Sequence, residues 1–243
     1  MKIAVAGATG RVGRHVVDIL AARGHEVVPM ARATGVDVIS GDGLAEAVSG
    51  AEVIVDLATG PSPDEQEATE FFTASARNLQ EAGRDAGVKR MILVSIIGID
   101  RFDGGYNAAK RVQERIALEG PVPVRILRAA QFHEFVGELV TWGRQGDVSY
   151  VPKMRTQLVA ARTVAEALAD LAADPESAPG PTLEIAGPRE ESMVEAARLL
   201  AARRGNGLRI EGVTWDERYE AGAALPGSGA TLAGPTFEEW LAA

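Results

Sequence analysis

A glycine-rich turn near the start of the chain constrains its fold more than any other feature. Gly7, Gly10 and Gly13 are spaced three residues apart, directly after the apolar run Ile3-Ala4-Val5-Ala6. Apolar residues then recur at steps of three and four from Val12 to Leu20, which predicts a helix. In a strand–turn–helix unit, such glycines permit a tight turn, let backbone approach a pyrophosphate and allow close helix packing. The sequence therefore predicts the phosphate end of a dinucleotide site, with an ordinary strand-to-helix turn as the alternative.

Charge and composition exclude several other classes of function. The chain has 243 residues and a net charge of −9, which does not favour nucleic acid or an anionic membrane as a partner. Cysteine is absent and the three histidines are far apart in sequence, so we expect no disulfide and no metal site. No leader segment and no apolar stretch of membrane-spanning length is visible, which favours a cytoplasmic protein.

Alternating strand and helix patterns predict the fold class. Apolar runs that indicate strands follow one another at 3–6, 26–30, 36–39, 52–58, 91–97 and 122–132. Helical patterns separate most of them, as expected for a Rossmann-type doubly wound α/β fold with a parallel sheet. We expect a single domain, with a dinucleotide-binding core over 1–130 and mainly substrate-binding and capping elements over 131–243.

Helix starts are marked by capping sequences. Ser62-Pro63-Asp64-Glu65 predicts an N-cap at Ser62 for a long helix, and Thr163 and Ser192 are predicted to begin two later helices. Residues 236–241 predict a short terminal helix, and the Pro-rich stretch 175–181 predicts a surface connection.

The stretch after the second strand is where a dinucleotide fold meets the adenosine ribose. It holds Arg32 and no acid, and Arg11 in the glycine turn adds a second cation. Because a guanidinium pairs well with phosphate, this pattern favours NADP over NAD, with a solvated loop role as the alternative for Arg32. Asp42 could accept a hydrogen bond from adenine or could cap the helix over 44–48.

A candidate catalytic set lies near the middle of the chain. Ser95 is a polar residue within the most apolar strand, and Tyr106 and Lys110 follow, four residues apart on one predicted helix face. A tyrosine can protonate a developing alkoxide, and a neighbouring ammonium would lower its pKa from about 10. The alternatives are a structural Ser95 and a solvated ion pair between Lys110 and Glu114.

The order of these motifs resembles the short-chain dehydrogenase/reductase superfamily, in its atypical, NmrA-like branch. The resemblance implies an NADPH-dependent oxidoreductase that reduces a carbonyl of a small, fairly apolar molecule. It implies that Tyr106 is the acid/base, that Lys110 tunes it and anchors the ribose, and that Ser95 orients the carbonyl. Cofactor contacts are then expected at Gly7, Thr9, Gly10, Arg11, Val12, Gly13, Arg32, Asp42, Ala58, Thr59, Ser95, Lys110 and Ala130.

The chain also departs from that family pattern. Its Ser-to-Tyr spacing is short, and the asparagine that often joins the set has no clear counterpart. A non-catalytic NADP-binding sensor and an NAD(P)-dependent isomerase or epimerase therefore stay open as alternatives. The resemblance includes homodimers, although the apolar helix faces here suit a core equally well.

Aromatic and apolar residues cluster after the last predicted core strand, where a substrate would lie. We expect a pocket wall there, with a hydrophobic core as the alternative and with His133 as a hydrogen-bonded pocket residue rather than a second proton carrier. The predicted pocket residues are Phe132, His133, Phe135, Trp142, Tyr150 and Met154.

Overall fold

The computed structural model describes residues 1–174, 180–205 and 207–243. The α-helices are α1 (Gly13–Ala22), α2 (Leu44–Val48), α3 (Glu65–Asp85), α4 (Gly105–Glu119), α5 (His133–Trp142), α6 (Ala161–Ala173), α7 (Met193–Arg204), α8 (Glu217–Glu220) and α9 (Phe237–Ala242). The strands are β1 (Lys2–Ala6), β2 (Glu26–Met30), β3 (Val53–Asp56), β4 (Arg90–Ile96), β5 (Val124–Ala129), β6 (Arg144–Gln145), β7 (Val148–Pro152), β8 (Arg155–Thr156), β9 (Thr182–Ala186), β10 (Glu191–Ser192), β11 (Arg209–Val213) and β12 (Thr231–Leu232).

The chain divides into two compact units. The first comprises 1–128 and 164–183, and the second comprises 129–163 and 184–243. Most of the predicted connection over 175–181 lies outside the described residues. Within the part of the chain that the structure describes, no helix is both long and apolar enough to cross a bilayer. It stays a prediction that the chain is a single domain, with dinucleotide binding assigned to 1–130 and substrate binding mainly to 131–243.

The first unit is built on parallel strands in the order β5-β4-β3-β1-β2. The register brings together the carboxyl ends of the central strands: Ala6 of β1 lies opposite Met30 of β2 and Asp56 of β3, and Asp56 lies opposite Leu93 of β4. Successive strands are added on opposite sides of β1, so the sheet order reverses between β1 and β3. Ligands of doubly wound sheets bind at the carboxyl ends beside such a reversal.

Buried apolar side chains hold this sheet to its helices. Ile54 on β3, Leu79 on α3 and Met91 on β4 are fully or almost fully buried in one cluster. Phe72 on α3 packs against Ala109 on α4, which fixes these two neighbouring helices beside each other. Complete burial of a side chain such as Phe72 stabilises the fold by roughly 1.5–3 kcal/mol.

Two local predictions in this unit are wrong. The expected strand over 36–39 is not a strand, because Asp37 Oδ1 accepts a hydrogen bond from the amide of Ile39, 2.7 Å away, and holds the chain in a turn. The expected N-cap at Ser62 is also wrong. Asp64 caps α3 instead, accepting from the amides of Gln66 and Glu67 at 2.9 and 3.1 Å.

The second unit has a small sheet of its own, with strands in the order β11-β7-β6. Helices α5 and α7 pack on β7 around a core that includes Val151, Met193 and Phe237. Ser192 caps α7 as predicted, and Thr236 caps α9. Helix α6 begins at Ala161, two residues before the predicted start at Thr163.

Candidate functional site

The glycine turn has the tight geometry that the sequence predicts. Gly7 has a φ of +72°, and a Cβ there would lie 2.5 Å from the carbonyl oxygen of Leu57. A Cβ on Gly13 would lie 2.1 Å from the carbonyl oxygen of Gly7, so no side chain fits where α1 meets the turn. Gly10 donates its amide to that same carbonyl at 2.9 Å. The turn is therefore a compact loop that depends on its glycines.

The first turn of α1 presents its backbone without a side-chain cap. Val12 is the N-cap residue and makes no capping hydrogen bond through its side chain. Thr9 is exposed and Arg11 is half-exposed at the same end of the helix. Uncapped N–H groups at a helix start, together with the helix dipole, form a ready site for a phosphate group.

The predicted ribose contacts lie on the loop after β2. Arg32 is exposed at the start of a short 3₁₀ helix, Arg32–Thr34, two residues after β2 ends. Its side chain makes no hydrogen bond or ion pair within the described residues. Asp42 is also exposed, but it does not cap α2, because Gly43 is the N-cap and no side chain caps that helix. The capping alternative for Asp42 is therefore wrong.

The segment after β3 carries two predicted cofactor contacts and a buried acid. Ala58 is buried and Thr59 is exposed. Asp56 ends β3 and is 2% exposed; its Oδ1 accepts from the amide of Ala58 at 3.0 Å. Burial raises the pKa of Asp56, while the Ala58 amide, Lys110 and Gln113 lower it.

Tyr106 lies on the first turn of α4, beside the segment that follows β3. Its hydroxyl is 3.0 Å from the hydroxyl of Thr59, and its ring meets the edge of Phe72 with centroids 5.6 Å apart. Glu65 of α3 accepts a hydrogen bond from the amide of Gly105 at 2.7 Å, which ties the starts of the two helices together. Tyr106 is thus held by α3 and by the segment after β3.

Lys110 is 5% exposed, which excludes the alternative of a solvated surface lysine. Its Nζ donates to the carbonyl of Val94 at 2.8 Å and to Oε1 of Gln113 at 2.5 Å, and lies 4.8 Å from the centroid of the Phe72 ring. Burial lowers the pKa of Lys110 to about 8, and the charges of Asp56 and Glu114 offset part of that effect.

The ammonium of Lys110 does not lower the pKa of Tyr106 in this structure. Burial raises the pKa of Tyr106, and only the hydrogen bond with Thr59 lowers it. The expectation that the ammonium lowers the pKa of Tyr106 is therefore wrong for this arrangement, because Lys110 directs its hydrogen bonds to Val94 and Gln113.

Ser95 lies near the carboxyl end of β4 and is 3% exposed. Its hydroxyl has no hydrogen-bond partner among the described residues. A buried hydroxyl without a partner is costly, so the structural role that the sequence left open for Ser95 has no hydrogen bond to support it.

Two residues of this region were not predicted from the sequence. Asp56 and Gln113 both have buried side chains, and Nε2 of Gln113 donates to Oδ2 of Asp56 at 3.1 Å. The available signal for Asp56 was an acid between the apolar stretches Val53-Ile54-Val55 and Leu57-Ala58. Gln113 gave no such signal, because glutamine is common on helices and its sequence position does not show which side chains it contacts.

In the second unit, His133 is buried and hydrogen-bonded. Its Nε2 lies 3.1 Å from the carbonyl oxygen of Pro235, and its ring stacks on Trp240 with centroids 5.3 Å apart. Because a carbonyl only accepts, Nε2 carries the proton and Nδ1 is a bare acceptor. Burial lowers the pKa of His133 to about 4, and the hydrogen bond to Pro235 offsets part of that effect.

The other predicted pocket residues are distributed over this unit. Phe135 meets the edge of Trp142, which is 63% exposed. Met154 is buried in the same apolar core against which Phe135 packs, and Phe132 and Tyr150 are half-buried. Ala130 donates its amide to the carbonyl of Ile185 at 2.9 Å. That these side chains form a substrate wall stays a prediction.

Comparison with known proteins gives a family and a partial relative. A family model described as NAD(P)H-binding matches residues 7–175. The L-arabinose 1-dehydrogenase (NAD(P)(+)) of Haloferax volcanii is 34% identical over 117 residues. That stretch is 44% of each chain, so the match spans less than half the length of this curated relative.

Solved structures confirm the predicted fold class. A complex of MoeE5 with UDP-glucose and NAD is 20% identical with a TM-score of 0.76, covering 100% of this chain and 96% of that chain. The UDP-Glc/GlcNAc 4-epimerase of Campylobacter jejuni is 12% identical with a TM-score of 0.77, covering 99% and 96%. A dTDP-4-dehydrorhamnose reductase of Bacillus anthracis in complex with NADP is 17% identical with a TM-score of 0.75, again covering 99% and 96%.

These identities are low enough that the structural likeness concerns the fold alone. The family model, in contrast, spans more than half of the chain, from the first glycine of the turn past the whole of α6. By that match, and in agreement with its glycine turn, this chain belongs to the NAD(P)H-binding family.

Proposed function

We propose that this protein is an NADPH-dependent oxidoreductase of the atypical short-chain type, which reduces a carbonyl of a small, fairly apolar molecule. The observation that carries the proposal is the placement of the Tyr106 hydroxyl 3.0 Å from Thr59, beside the carboxyl ends of the strands. This is the edge of the sheet where a doubly wound fold binds its dinucleotide.

The residues present fit such a cofactor. The turn around Gly7 and Gly13 has no room for a Cβ, and α1 begins without a side-chain cap. Close backbone approach and uncapped N–H groups are what a pyrophosphate requires. Ser95, with a buried and unpartnered hydroxyl, supplies a further polar group within the same unit.

The choice of NADPH over NADH rests on the loop after β2. Arg32 is exposed there without a polar partner in the described ranges, and no carboxylate stands at the end of β2. A guanidinium in this position would bind a 2′-phosphate, whereas a ribose 2′-hydroxyl is usually bound by Asp or Glu. Arg11 would add positive charge at the glycine turn.

In the proposed reaction the bound cofactor supplies the hydride. Tyr106 gives its phenolic proton to the carbonyl oxygen as the alkoxide develops, and Thr59 holds the phenol in place. Ser95 donates a hydrogen bond that orients the carbonyl, and Lys110 contributes positive charge near the ribose. The raised pKa of Tyr106 keeps it protonated at neutral pH, which suits a proton donor.

One observation favours a second candidate, the NADP-binding sensor without turnover. Nζ of Lys110 donates to Val94 and Gln113, and no hydrogen bond joins it to Tyr106. A sensor would keep nucleotide affinity without needing an activated tyrosine.

Consumption of NADPH in the presence of a panel of small aldehydes, ketones and sugar lactones tests the proposal. L-arabinose with NADP⁺ provides the reverse assay suggested by the relative. Wild-type turnover that is lost in Tyr106→Phe, with NADPH affinity retained, supports the oxidoreductase. Tight NADPH binding without turnover on the whole panel, and unchanged behaviour of Tyr106→Phe, supports the sensor instead.

A further inference from the structure

We propose that Gln113 is a positioning residue, whose amide links the buried Asp56 carboxylate to Lys110 and so keeps Lys110 charged and fixed in place. The hydrogen bonds that make this link all lie within the first unit. Its consequence for catalysis rests on the function proposed above, in which Lys110 acts beside Tyr106.

The amide of Gln113 has partners of opposite kind on its two sides. Nε2 donates to Oδ2 of Asp56 at 3.1 Å, and Oε1 accepts from Nζ of Lys110 at 2.5 Å. A carboxylate can only accept and an ammonium can only donate, so the amide has one orientation that satisfies both. Gln113 itself is fully buried, and water therefore does not compete for these bonds.

Asp56 has the hydrogen-bond pattern of an ionised carboxylate. Both of its oxygens accept from N–H groups, Oδ1 from Ala58 at 3.0 Å and Oδ2 from Gln113. Burial opposes the charge on Asp56 as it opposes the charge on Lys110, while each charge favours the other. A bridging amide lets the two opposite charges coexist in a buried place without direct contact.

Few other groups near Lys110 can balance the positive charge of its ammonium. The groups that face it from the packed elements are Asp56 on β3, the Phe72 ring on α3, the Val94 carbonyl on β4, and Gln113 and Glu114 on its own helix. Glu114 is itself held by Arg128, whose Nη2 donates to it at 2.6 Å. Asp56 is therefore the carboxylate whose charge is not already offset by an arginine.

The arrangement makes a reciprocal prediction. In Asp56→Asn the asparagine oxygen keeps the hydrogen bond from the amide of Ala58, so the new NH₂ faces Gln113. The glutamine then turns its Oε1 toward this donor and its NH₂ toward Lys110, which disfavours the charge of Lys110. Adding Gln113→Glu restores the donor–acceptor order, because the new carboxylate then accepts from the asparagine and from Lys110 alike. The double variant keeps the net charge of the wild type and places the carboxylate directly against the ammonium.

The test is an NMR titration of the lysine side chains in the full, nucleotide-free chain, whose lysines are Lys2, Lys89, Lys110 and Lys153. Loss of one resonance in Lys110→Arg assigns the buried lysine. We expect a midpoint near pH 8 for Lys110 in the wild type. In Asp56→Asn and in Gln113→Leu the midpoint of Lys110 should move to lower pH, with a proton dissociation constant roughly tenfold larger or more. In the double variant the midpoint should move to higher pH, with a dissociation constant below the wild-type value.

Gln80→Leu is the matched control. Gln80 is another buried glutamine of the same unit, and its amide binds backbone groups of Ala117 and Val122 with no charged partner. This variant should lose stability while leaving the midpoint of Lys110 unchanged. Circular dichroism and thermal unfolding of each variant establish that the titrated protein is folded.

Two outcomes separate the link from the proposed function. If the proton dissociation constant of Lys110 stays within threefold of the wild-type value in Gln113→Leu and in the double variant, the positioning role is contradicted. If the midpoints move as expected while no carbonyl compound is reduced, the link stands and the oxidoreductase proposal fails. In an active enzyme, the fall of kcat at alkaline pH should move to lower pH in Asp56→Asn and to higher pH in the double variant.

Discussion

The hydroxyl of Thr59 lies 3.0 Å from the hydroxyl of Tyr106, and this is the contact that sets the polar environment of the tyrosine. The two residues come from different segments, one after β3 and the other on the first turn of α4. Burial raises the pKa of Tyr106, and the hydrogen bond with Thr59 offsets part of that rise. Thr59 therefore tunes the phenol, although the sequence predicts it only as a cofactor contact.

Replacement of Thr59 by valine should raise the pKa of Tyr106 further, because the hydrogen bond that favours the phenolate is lost while burial is kept. The chain has three tyrosines, so a ring-labelled NMR titration resolves each of them. We expect the alkaline titration of Tyr106 to begin at higher pH in Thr59→Val than in the wild type. An unchanged or lowered midpoint for Tyr106 would contradict the role given to Thr59.

Arg32→Ala should weaken NADPH binding and leave NADH binding unaltered, since the arginine is proposed to bind the 2′-phosphate. A hydrogen-bonded pair with a charged group contributes about 1.5–3 kcal/mol, which corresponds to a loss of roughly 10- to 150-fold in affinity. Isothermal titration calorimetry measures both nucleotides. Arg77→Ala, an exposed arginine on α3, is the control for a simple loss of net charge. Equal losses in the two variants would remove the specific role of Arg32.

Gly13→Ala should destabilise the glycine turn, because the added Cβ would lie 2.1 Å from the carbonyl oxygen of Gly7. Overpacking of this kind costs about 1–3 kcal/mol of unfolding free energy. We expect a lower Tm and a loss of nucleotide affinity. Gly229→Ala serves as the control, since a Cβ there meets nothing within 4 Å and the backbone has no positive φ. Wild-type stability and binding in Gly13→Ala would show that the turn tolerates a side chain.

The ion pairs of Arg128 should differ strongly in their contributions to stability. Glu114 is bound through Nε and Nη2 at 2.9 and 2.6 Å and its side chain is 8% exposed, whereas the side chain of Asp100 is 63% exposed. Removing one member of a buried pair costs roughly 3–5 kcal/mol, and an exposed pair contributes about 0–1 kcal/mol. Urea unfolding should therefore show a much larger loss in Glu114→Ala than in Asp100→Ala. Similar losses would mean that burial does not decide the strength of these pairs.

The stability of the protein should fall as the pH is lowered from about 6.5 to about 4, in part because of His133. The folded state holds this histidine neutral while the unfolded chain takes up a proton, so the unfolded state binds more protons throughout that window. Above pH 6.5 the contribution is constant. His133→Gln should flatten this part of the pH dependence in chemical unfolding, because the group that takes up the proton on unfolding is gone. A slope that persists unchanged in His133→Gln would assign it to other groups.

The parts of the fold that the sequence predicted are those decided by local chemistry. The glycine turn, the capped start of α7 and the shared helix face of Tyr106 and Lys110 depend on a few neighbouring residues. The strand expected over 36–39 was wrong because the side chain of Asp37 bonds to its own backbone, which competes with strand formation.

The candidate site was less predictable, because its hydrogen bonds join residues far apart in the chain. Asp56 and Gln113 are separated by 57 positions, and nothing in either local sequence shows that their side chains meet. The same holds for Lys110, whose spacing suggests a partnership with Tyr106 while its hydrogen bonds go to Val94 and Gln113. Tertiary packing of α4 on β4 and α3 decides these contacts.

The central claim, that the glycine turn and Arg32 form an NADP site, is tested most directly by calorimetric titration of the cofactor-free, folded protein with NADPH and with NADH. We expect saturable binding of NADPH and clearly weaker binding of NADH. Absence of heat and of binding for both nucleotides, in protein shown to be folded by circular dichroism, would contradict it.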